Sequence, residues 1–284
     1  MSKPTPLKPI DYLLIGHITA DLQADGSSKL GGTASFSGLT AQALGHEVGI
    51  LSSFGDDADL STIESLQICN AELSQTTSFR NIYTPEGREQ YCYKRASSLQ
   101  ANQIPEAWKT PKIVHFGPVA NEIDPDLFDA FPNSLRYATP QGLLRNFADD
   151  GKVFFRDLEN KESILPKLDA VVLSLEDLQN DENLIAEYAS LCKLLVITEN
   201  KDGARVYFKG ERRHFPAPHK NSVDETGAGD IFAASFFHRL SETNKPWEAA
   251  RFAVELSANS VTRFYLEGVP SQSEIEHAKI HSSI

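Results

Sequence analysis

The sequence predicts an α/β fold in which a mostly parallel sheet packs between helices, and two observations lead to this prediction. Short segments that are apolar throughout recur along the chain, as is typical of strands buried on both faces of a parallel sheet. Segments with helical spacing of apolar residues lie between them, and this alternation is characteristic of layered α/β proteins. The predicted strands are residues 12–16, 48–55, 113–117, 171–175 and 194–198.

The predicted helices follow from apolar spacing and from residues suited to helix ends. In residues 33–45, Phe36, Leu39 and Leu44 repeat at helical spacing, and Gly45 is a suitable residue just after the helix. The other predicted helices are residues 175–192, 226–242, 246–264 and 271–283.

Residues 79–95 differ from the rest of the chain in pattern. Alternating residues such as Phe79, Asn81 and Tyr83 precede Pro85-Glu86-Gly87, and the alternation then resumes, which predicts a β-hairpin. Because the segment is polar and aromatic rather than uniformly apolar, we expect it to lie outside the main sheet as a flap.

Length and charge restrict the class of protein. A chain of 284 residues fits one large domain. Its 39 acidic and 27 basic residues give a formal net charge of −12, which argues against binding the phosphate backbone of nucleic acids. No segment approaches 18 apolar residues, and the first residues lack the pattern of a signal peptide. We therefore expect a cytoplasmic protein that binds neither nucleic acid nor membrane.

Cysteines and paired histidines give no sequence evidence for a cross-link or a structural metal. Cys69, Cys92 and Cys192 are odd in number and far apart, which fits a reducing compartment. His277 and His281 share one face of the last predicted helix, but the sequence offers no third ligand, so we interpret them as solvated side chains.

The segment Thr226-Gly-Ala-Gly-Asp230 places two glycines and a carboxylate where a helix is predicted to begin. Backbone N–H groups there have no intrahelical partner, and together with the helix dipole they favour an anion. An anion site beside Asp230 suits phosphoryl transfer, with the carboxylate as general base. The segment lacks the lysine of a P-loop, and Phe232 stands where a dinucleotide fingerprint needs glycine or alanine. An ordinary glycine-rich helix start, with Asp230 as a partner for the dipole, fits the same residues.

Several segments, in order along nearly the whole chain, resemble the PfkB (ribokinase-like) carbohydrate kinases. VDETGAGDIF resembles the C-terminal signature of that family, and GGTASFSGLTAQALG resembles its N-terminal glycine-pair helix. FGDD at 54–57, ITENKDGARVYFKG at 197–210 and the hairpin at 79–95 also stand where the family has corresponding segments. The resemblance implies a three-layer α/β/α sandwich formed by one domain, residues 1–284. It also implies a small β lid built from residues of about 17–30 and 79–95.

The resemblance also implies roles for individual residues, and ATP, Mg²⁺ and a monovalent cation such as K⁺ as cofactors. Asp230 corresponds to the catalytic base, and Gly227, Ala228 and Gly229 to the anion hole. Asp21, Gly31 and Gly32 correspond to residues of the acceptor site. The implied nucleotide-binding residues are Thr198, Asn200, Gly203, Thr226, Gly227, Gly229 and Asn259, and the implied residue for the metal is Asp177.

Four further residues are candidates for the substrate pocket. Arg88 and Gln90 share one face of the second hairpin strand, where they could close over substrate or remain solvated. Gln141 and Arg145 follow a predicted strand, at the end of the sheet where ligands bind in such folds.

Three departures from the family pattern affect the expected substrate. Phe36 stands where the family often has an asparagine that contacts the acceptor, which argues against a typical ribokinase or fructokinase pocket. Asn200 stands in the nucleotide segment where a glycine is usual. The family's Asn-x-x-Glu becomes Ser174-Leu-Glu-Asp177, which retains a carboxylate on a shorter side chain that is compatible with Mg²⁺.

The leading hypothesis is an ATP-dependent kinase that phosphorylates a hydroxyl of a small sugar or polyol, with a cyclitol such as myo-inositol among the acceptors considered. A nucleoside kinase is the alternative within the enzymes. A catalytically silent member that acts as a binding or scaffold subunit is the alternative of another class. The open edge of the hairpin also leads us to consider a homodimer formed through the lid.

Overall fold

A nine-stranded sheet forms the centre of the computed structural model, which describes residues 7–84 and 87–283 without the side chains of residues 83, 84, 87 and 88. The strands are β1 (Tyr12–Ile15), β2 (Thr19–Leu22), β3 (Ser28–Gly31), β4 (Val48–Phe54), β5 (Gln67–Leu73), β6 (Thr77–Thr84), β7 (Gly87–Lys94), β8 (Ile113–Phe116), β9 (Leu135–Ala138), β10 (Arg145–Phe147), β11 (Val153–Phe155), β12 (Ala170–Ser174), β13 (Leu194–Thr198), β14 (Ala204–Phe208) and β15 (Glu211–Phe215). The helices are α1 (Thr33–Ala43), α2 (Lys161–Ile164), α3 (Glu182–Leu191), α4 (Ala228–Thr243), α5 (Pro246–Ser260) and α6 (Gln272–Ser282).

The strand order in this sheet is β15-β14-β13-β12-β9-β8-β1-β4-β5. The strands from β5 to β13 pair in parallel, and β14 and β15 add an antiparallel edge. All five strands predicted from apolar segments are present. The carboxyl ends of the parallel strands therefore meet at one edge, where a ligand site is expected in such sheets.

The predicted strands are apolar throughout because the sheet is covered on both faces. Tyr12 and Leu14 of β1 belong to the core that also contains residues of α1, α4 and α5, whereas Leu13 and Ile15 belong to the core on the opposite face. Successive residues of a strand point to opposite faces, so each face of β1 needs its own apolar side chains. The expected layered α/β/α arrangement is confirmed.

The prediction of one continuous helix over 175–192 is wrong. A short 3₁₀ turn at 176–178 is followed by Gln179 and Asn180, whose φ angles of 57° and 55° interrupt the helix. Helix α3 then starts afresh, because the Asp181 side chain accepts a hydrogen bond from the Asn183 N–H at 2.8 Å. The helix predicted at 246–264 likewise ends earlier, at Ser260.

A second sheet of four strands, in the order β3-β2-β6-β7, lies outside the main one. The predicted hairpin is confirmed as β6 and β7, although its predicted tip at 85 and 86 is outside the described residues. Strand β2 pairs in parallel with β6 and antiparallel with β3. Both segments that the sequence assigns to a lid, 17–30 and 79–95, thus contribute to this small sheet, and its action as a lid remains a prediction.

The hairpin β10–β11 links the small sheet to the main body. The Cys92 N–H donates to the Gly151 carbonyl at 2.8 Å, and Lys152 Nζ lies 2.5 Å from Glu89 Oε1. Among residues 7–84 and 87–283, no helix has both the length and the apolar character that a membrane crossing requires.

Candidate active site

A cavity of about 430 Å³ lies at the carboxyl ends of β9, β12 and β13, against the first residues of α4. It brings together residues from the small sheet, the middle of the chain and the C-terminal helices. The lining residues are Asn81, Thr139, Gln141, Val172, Leu173, Ser174, Glu176, Asp177, Thr198, Asn200, Asp224, Glu225, Thr226, Gly227, Gly229 and Asp230.

The first turn of α4 presents backbone donors to this cavity. Among the described residues, the N–H groups of Gly227, Gly229 and Asp230 have no acceptor, whereas the Ala228 N–H donates to the Glu225 carbonyl at 3.2 Å. Free N–H groups at a helix start, aided by the helix dipole, attract an anion. The arrangement therefore favours an anion held by residues 227, 229 and 230, and the predicted contribution of the Ala228 N–H would first require loss of its bond to Glu225.

Position 227 requires glycine because of its backbone conformation and because of the neighbouring ring of Phe36. Its φ is 79°, a left-handed conformation that side chains disfavour, and a Cβ there would overlap the ring of Phe36. Phe36 is 2% exposed and fills the space beside the glycine. Gly229, in contrast, has no atom within 4 Å of a hypothetical Cβ, so that its missing side chain leaves open space in the cavity.

Burial, with smaller contributions from the nearby carboxylates of Asp177 and Asp21, raises the pKa of the Asp230 carboxyl to about 6. A hydrogen bond from Thr33 and the charge of Arg145 act in the opposite direction. The raised value reflects the cost of removing a charged carboxylate from water. A carboxyl with this pKa is ionised at neutral pH and still basic enough to accept a proton.

A chain of side chains connects Arg145 with Asp230. The Arg145 Nη2 donates to Gln141 Oε1 at 2.9 Å, and Gln141 Nε2 donates to Thr33 Oγ1 at 3.3 Å. Since the Thr33 oxygen accepts from Gln141, its proton is available for the Asp230 carboxylate. The structure thus brings both predicted pocket residues, Gln141 and Arg145, into contact with the surroundings of the predicted base.

The cavity is strongly acidic. The Asp177 carboxylate accepts a hydrogen bond from the Ser174 N–H at 2.8 Å through Oδ2, which holds it at the end of β12. Its other oxygen has no partner among the described residues. The other carboxylates that line the cavity are Glu176, Asp224, Glu225 and Asp230. A phosphate donor would bring more negative charge, and oxygen ligands of this kind suit Mg²⁺, so these residues fit a magnesium ion that accompanies the donor.

Asp21 lies beside Tyr265, a residue that the sequence analysis did not select. The Tyr265 hydroxyl donates to Asp21 Oδ2 at 3.1 Å, and its ring packs edge-on against Phe36 with centroids 5.2 Å apart. Burial raises the pKa of Asp21, opposed by the hydrogen bonds from Tyr265 and Thr19. A Cβ at Gly31 would overlap the Asp21 carboxylate.

Gly32 is constrained in the same region. Its φ is 84°, and a Cβ would lie 2.7 Å from the His17 carbonyl oxygen. The predicted glycine pair is thus needed for the approach of these segments to one another, and the contact of Asp21 with the acceptor remains a prediction.

The predicted nucleotide-binding residues divide into two groups. Thr198, Asn200 and Thr226 line the cavity with the glycines of α4. Gly203 and Asn259 do not line it: a Cβ at Gly203 would overlap the Phe215 carbonyl, and Asn259 lies near the end of α5. Their proposed contact with a nucleotide remains a prediction.

Of the two lid candidates, only Gln90 has a described side chain. Gln90 Nε2 donates to Asn81 Oδ1 at 3.0 Å across the hairpin, and Asn81 lines the cavity. Arg88 is paired in β7, but its side chain lies outside the description.

Sequence reasoning missed Thr33, Thr139 and Tyr265. Thr33 directly follows the glycine pair, so its position at the start of α1 was a usable signal. Thr139 follows β9 and accepts or donates a hydrogen bond with the buried His115 at 2.9 Å. Tyr265 belongs to no recognisable motif and reaches the site from a turn after α5.

Comparisons with known proteins relate the chain to sugar and nucleoside kinases. The family model described as pfkB family carbohydrate kinase matches residues 163–271. Over 272 residues the chain is 24% identical to the cytidine kinase of Thermococcus kodakarensis, an alignment that covers 87% of this chain and 94% of that protein.

Two solved structures share the fold at low identity. One is a pyrophosphate-dependent myo-inositol-1 kinase converted by substitution into a myo-inositol-3 kinase, with a TM-score of 0.78, 20% identity, and coverage of 94% of this chain and 98% of that one. The other is an uncharacterized sugar kinase from Pyrococcus horikoshii in complex with ATP, with a TM-score of 0.75, 19% identity, and coverage of 96% and 100%.

Proposed function

Because this chain belongs to the PfkB family of carbohydrate kinases and has the ribokinase-like fold of an ATP-dependent kinase, we propose that it phosphorylates a hydroxyl of a small sugar or polyol. The observation that carries the proposal is the position of Asp230. Its carboxyl has a pKa of about 6 and lies in the same helical turn as the free N–H groups of Gly227 and Gly229. A proton acceptor and an anion site are thus adjacent, as phosphoryl transfer requires.

In the proposed reaction, Asp230 takes the proton of the acceptor hydroxyl as that oxygen forms a bond to the γ-phosphorus of ATP. The bond from this phosphorus to the bridging oxygen breaks, and ADP leaves. The N–H groups of residues 227, 229 and 230 stabilise the charge on the transferred group. Asp177 and Glu176 would hold Mg²⁺, which when bound neutralises part of the charge of the donor phosphates.

The acceptor side favours a compact polyhydroxylated ring. Asp21 supplies a carboxylate for acceptor hydroxyls and accepts a hydrogen bond from Tyr265, whose half-buried ring adds aromatic surface. Phe36, where the family often has an asparagine, is buried and supplies no polar contact. Such a combination suits a ring with an apolar face, and we include myo-inositol beside sugars among the acceptors. The relation to a cytidine kinase makes a nucleoside kinase the second candidate.

A panel of acceptors tests the function directly. ATP consumption is measured with ribose, fructose, myo-inositol and cytidine, each with Mg²⁺, and pyrophosphate is compared with ATP as donor. We expect acceptor-dependent turnover with at least one sugar or polyol, and Asp230→Asn to lower it by about 10²–10⁴-fold, the usual cost of a lost general base. Asp59→Asn, an exposed carboxylate outside the cavity, is the matched control.

Two outcomes of this panel would oppose the proposal. Turnover with cytidine alone would favour the nucleoside kinase. Absence of turnover with every acceptor, while ATP still binds, would favour a silent binding subunit.

We also propose that the small sheet closes over the acceptor, that it pairs with a second copy of the chain, and that the enzyme works in the cytoplasm. The β10–β11 hairpin covers β7 at Tyr91 and Cys92, so the dimer is supported by the last residues of this strand, where Tyr93 is 50% exposed. A requirement for K⁺ can be examined in the same assay by exchanging the monovalent salt.

A further inference from the structure

One cluster of potential metal ligands lies away from the cavity, on the surface formed by α5 and α6. It consists of Glu255 on α5 with His277 and His281 on α6. One nitrogen or oxygen atom from each residue lies within 4.8 Å of the others. The fold thus supplies the third ligand that the sequence did not reveal, because Glu255 is 22 residues distant from His277 along the chain.

The two imidazole rings are held in place by hydrogen bonds. His277 Nδ1 lies in a short contact with Glu255 Oε1, and His281 Nδ1 lies 2.8 Å from the His277 carbonyl oxygen. Since a carbonyl can only accept, Nδ1 of His281 carries the proton, and its Nε2 keeps a free lone pair. Histidines that bind metals are commonly oriented by a backbone carbonyl in the manner of His281.

The two rings also face each other, with centroids 3.9 Å apart and an angle of 28° between their planes. Histidines four residues apart lie on one face of a helix, so both can reach one ion. Beneath them, Phe252 and Leu256 of α5 pack with Ile275 and Ala278 of α6, which fixes the distance between the two helices.

We propose that Glu255, His277 and His281 form a binding site for a divalent transition-metal ion of the zinc type. Two imidazole nitrogens and one carboxylate oxygen match the ligands that Zn²⁺ takes in proteins, whereas Mg²⁺ prefers oxygen ligands alone. Ligand atoms around tetrahedral Zn²⁺ are separated by about 3.3 Å. Because His277 is 61% exposed, rotation of side chains can close the present separations. Water would complete the coordination.

The neighbouring positive charge of Arg251 is compatible with a bound cation. Arg251, one turn before Glu255, has its guanidinium engaged with the Ser282 carbonyl at 3.1 Å. The ion would connect the C-terminal helix α6 to α5 and so stabilise the end of the chain. None of the three ligands lines the cavity of Asp230, so this site is independent of the proposed kinase function and of its magnesium.

The test is a calorimetric titration of the full chain, without an affinity tag, with Zn²⁺ alone. We expect the double variant His277→Gln/His281→Gln to lose one zinc site or to bind at least about 100-fold more weakly, and Glu255→Gln to bind about tenfold more weakly. His219→Gln, an exposed histidine outside the cluster, is the matched control and should bind like the wild type.

Thermal unfolding provides a second readout. Zn²⁺ should raise the Tm of the wild type and of His219→Gln, since an ion that binds only the folded state stabilises it, and should leave the double variant unchanged. The exposed substitutions should not alter the Tm without metal, which separates a lost ligand from a folding defect. Equal zinc affinity and stoichiometry in the wild type and the double variant, or unchanged affinity in Glu255→Gln, would overturn the proposal.

Discussion

Asp230 can accept a proton only after losing its own, so the proposed kinase activity should depend on pH through its pKa of about 6. Below that pH the carboxyl is protonated, and kcat/KM should fall about tenfold for each pH unit. Asp177→Asn removes a like charge that raises this pKa, and should therefore shift the acidic limb to lower pH.

This prediction is checked by kcat/KM profiles from pH 4.5 to 8 for the wild type, Asp177→Asn and the exposed control Asp59→Asn. The variants are compared by the pH of the acidic limb rather than by the maximal rate. Asp177 is also the proposed ligand of the metal, so its substitution should lower the rate for a separate reason. A wild-type profile that stays flat down to pH 4.5 would contradict a base with a pKa of about 6.

The hydroxyl of Tyr265 should matter for the acceptor and not for ATP. Tyr265→Phe keeps the ring that packs on Phe36 but removes the donor to Asp21. A hydrogen bond to a charged group contributes about 1.5–3 kcal/mol, so we expect the KM of the acceptor to rise at least about tenfold, with the KM of ATP unchanged. Steady-state kinetics with each substrate varied in turn measure both. Tyr207→Phe removes a hydroxyl outside the cavity and is the control; equal KM values for Tyr265→Phe and the wild type would remove Tyr265 from the acceptor site.

The sequence revealed residues that act within a short motif and missed those brought in by the fold. Asp230 was identifiable because two glycines, a carboxylate and a helix start are contiguous, so local physics already indicates an anion site. Tyr265 contacts Asp21 across 244 positions, and no local pattern distinguishes it from an ordinary surface tyrosine. The role of Phe36 could be predicted only in part. The sequence showed that Phe36 departs from the family pattern, but it did not show that the ring fills the space beside Gly227.

At the scale of elements, replacing each of the two glycines at the start of α4 by alanine should affect a different property, stability in one case and activity in the other. In Gly227→Ala the Cβ meets both a φ of 79° and the ring of Phe36, so we expect a lower Tm. In Gly229→Ala the Cβ enters open space, so the Tm should be unchanged, but the methyl group should obstruct the phosphate and reduce kcat. Thermal unfolding and kinetics on both variants separate these effects. Full activity in a folded Gly229→Ala would show that no phosphoryl group passes this turn.

The hairpin β6–β7 provides the second prediction about an element. Replacing residues 82–89 with Asn-Gly keeps the pair Asn81 and Gln90 and closes it with a two-residue turn. If the hairpin shields the reaction from water, acceptor phosphorylation should fall while hydrolysis of ATP by water persists or rises. Product and phosphate assays measure the two reactions separately. Parallel losses of ATP affinity and acceptor affinity would identify the hairpin as scaffold only.

For the whole molecule, the layered α/β/α arrangement could be predicted because strands buried on both faces give an apolar pattern in the sequence. The five predicted strands are largely apolar on both faces, and their predicted bounds differ from the observed ones by at most one residue, although β9, which lies among them, was not predicted. Strands β5 and β15 were missed because they lie at the two edges of the sheet, where exposed polar residues such as Glu72 and Arg213 break the apolar pattern. The prediction of one helix over 175–192 was wrong for a local reason, because Gln179 and Asn180 adopt left-handed conformations that cannot be predicted from composition.

The contact of Tyr265 with Asp21 also has a consequence for protein synthesis. A ribosome adds about 5–20 residues per second and releases the N-terminal strands first. Asp21 therefore emerges early, and its partner is added only 244 residues later. Fragments that end before Tyr265 would lack its hydrogen bond to Asp21, and with it part of the proposed acceptor site, even when they retain Asp230. Prematurely terminated chains that lack Tyr265 are thus expected not to phosphorylate the acceptor.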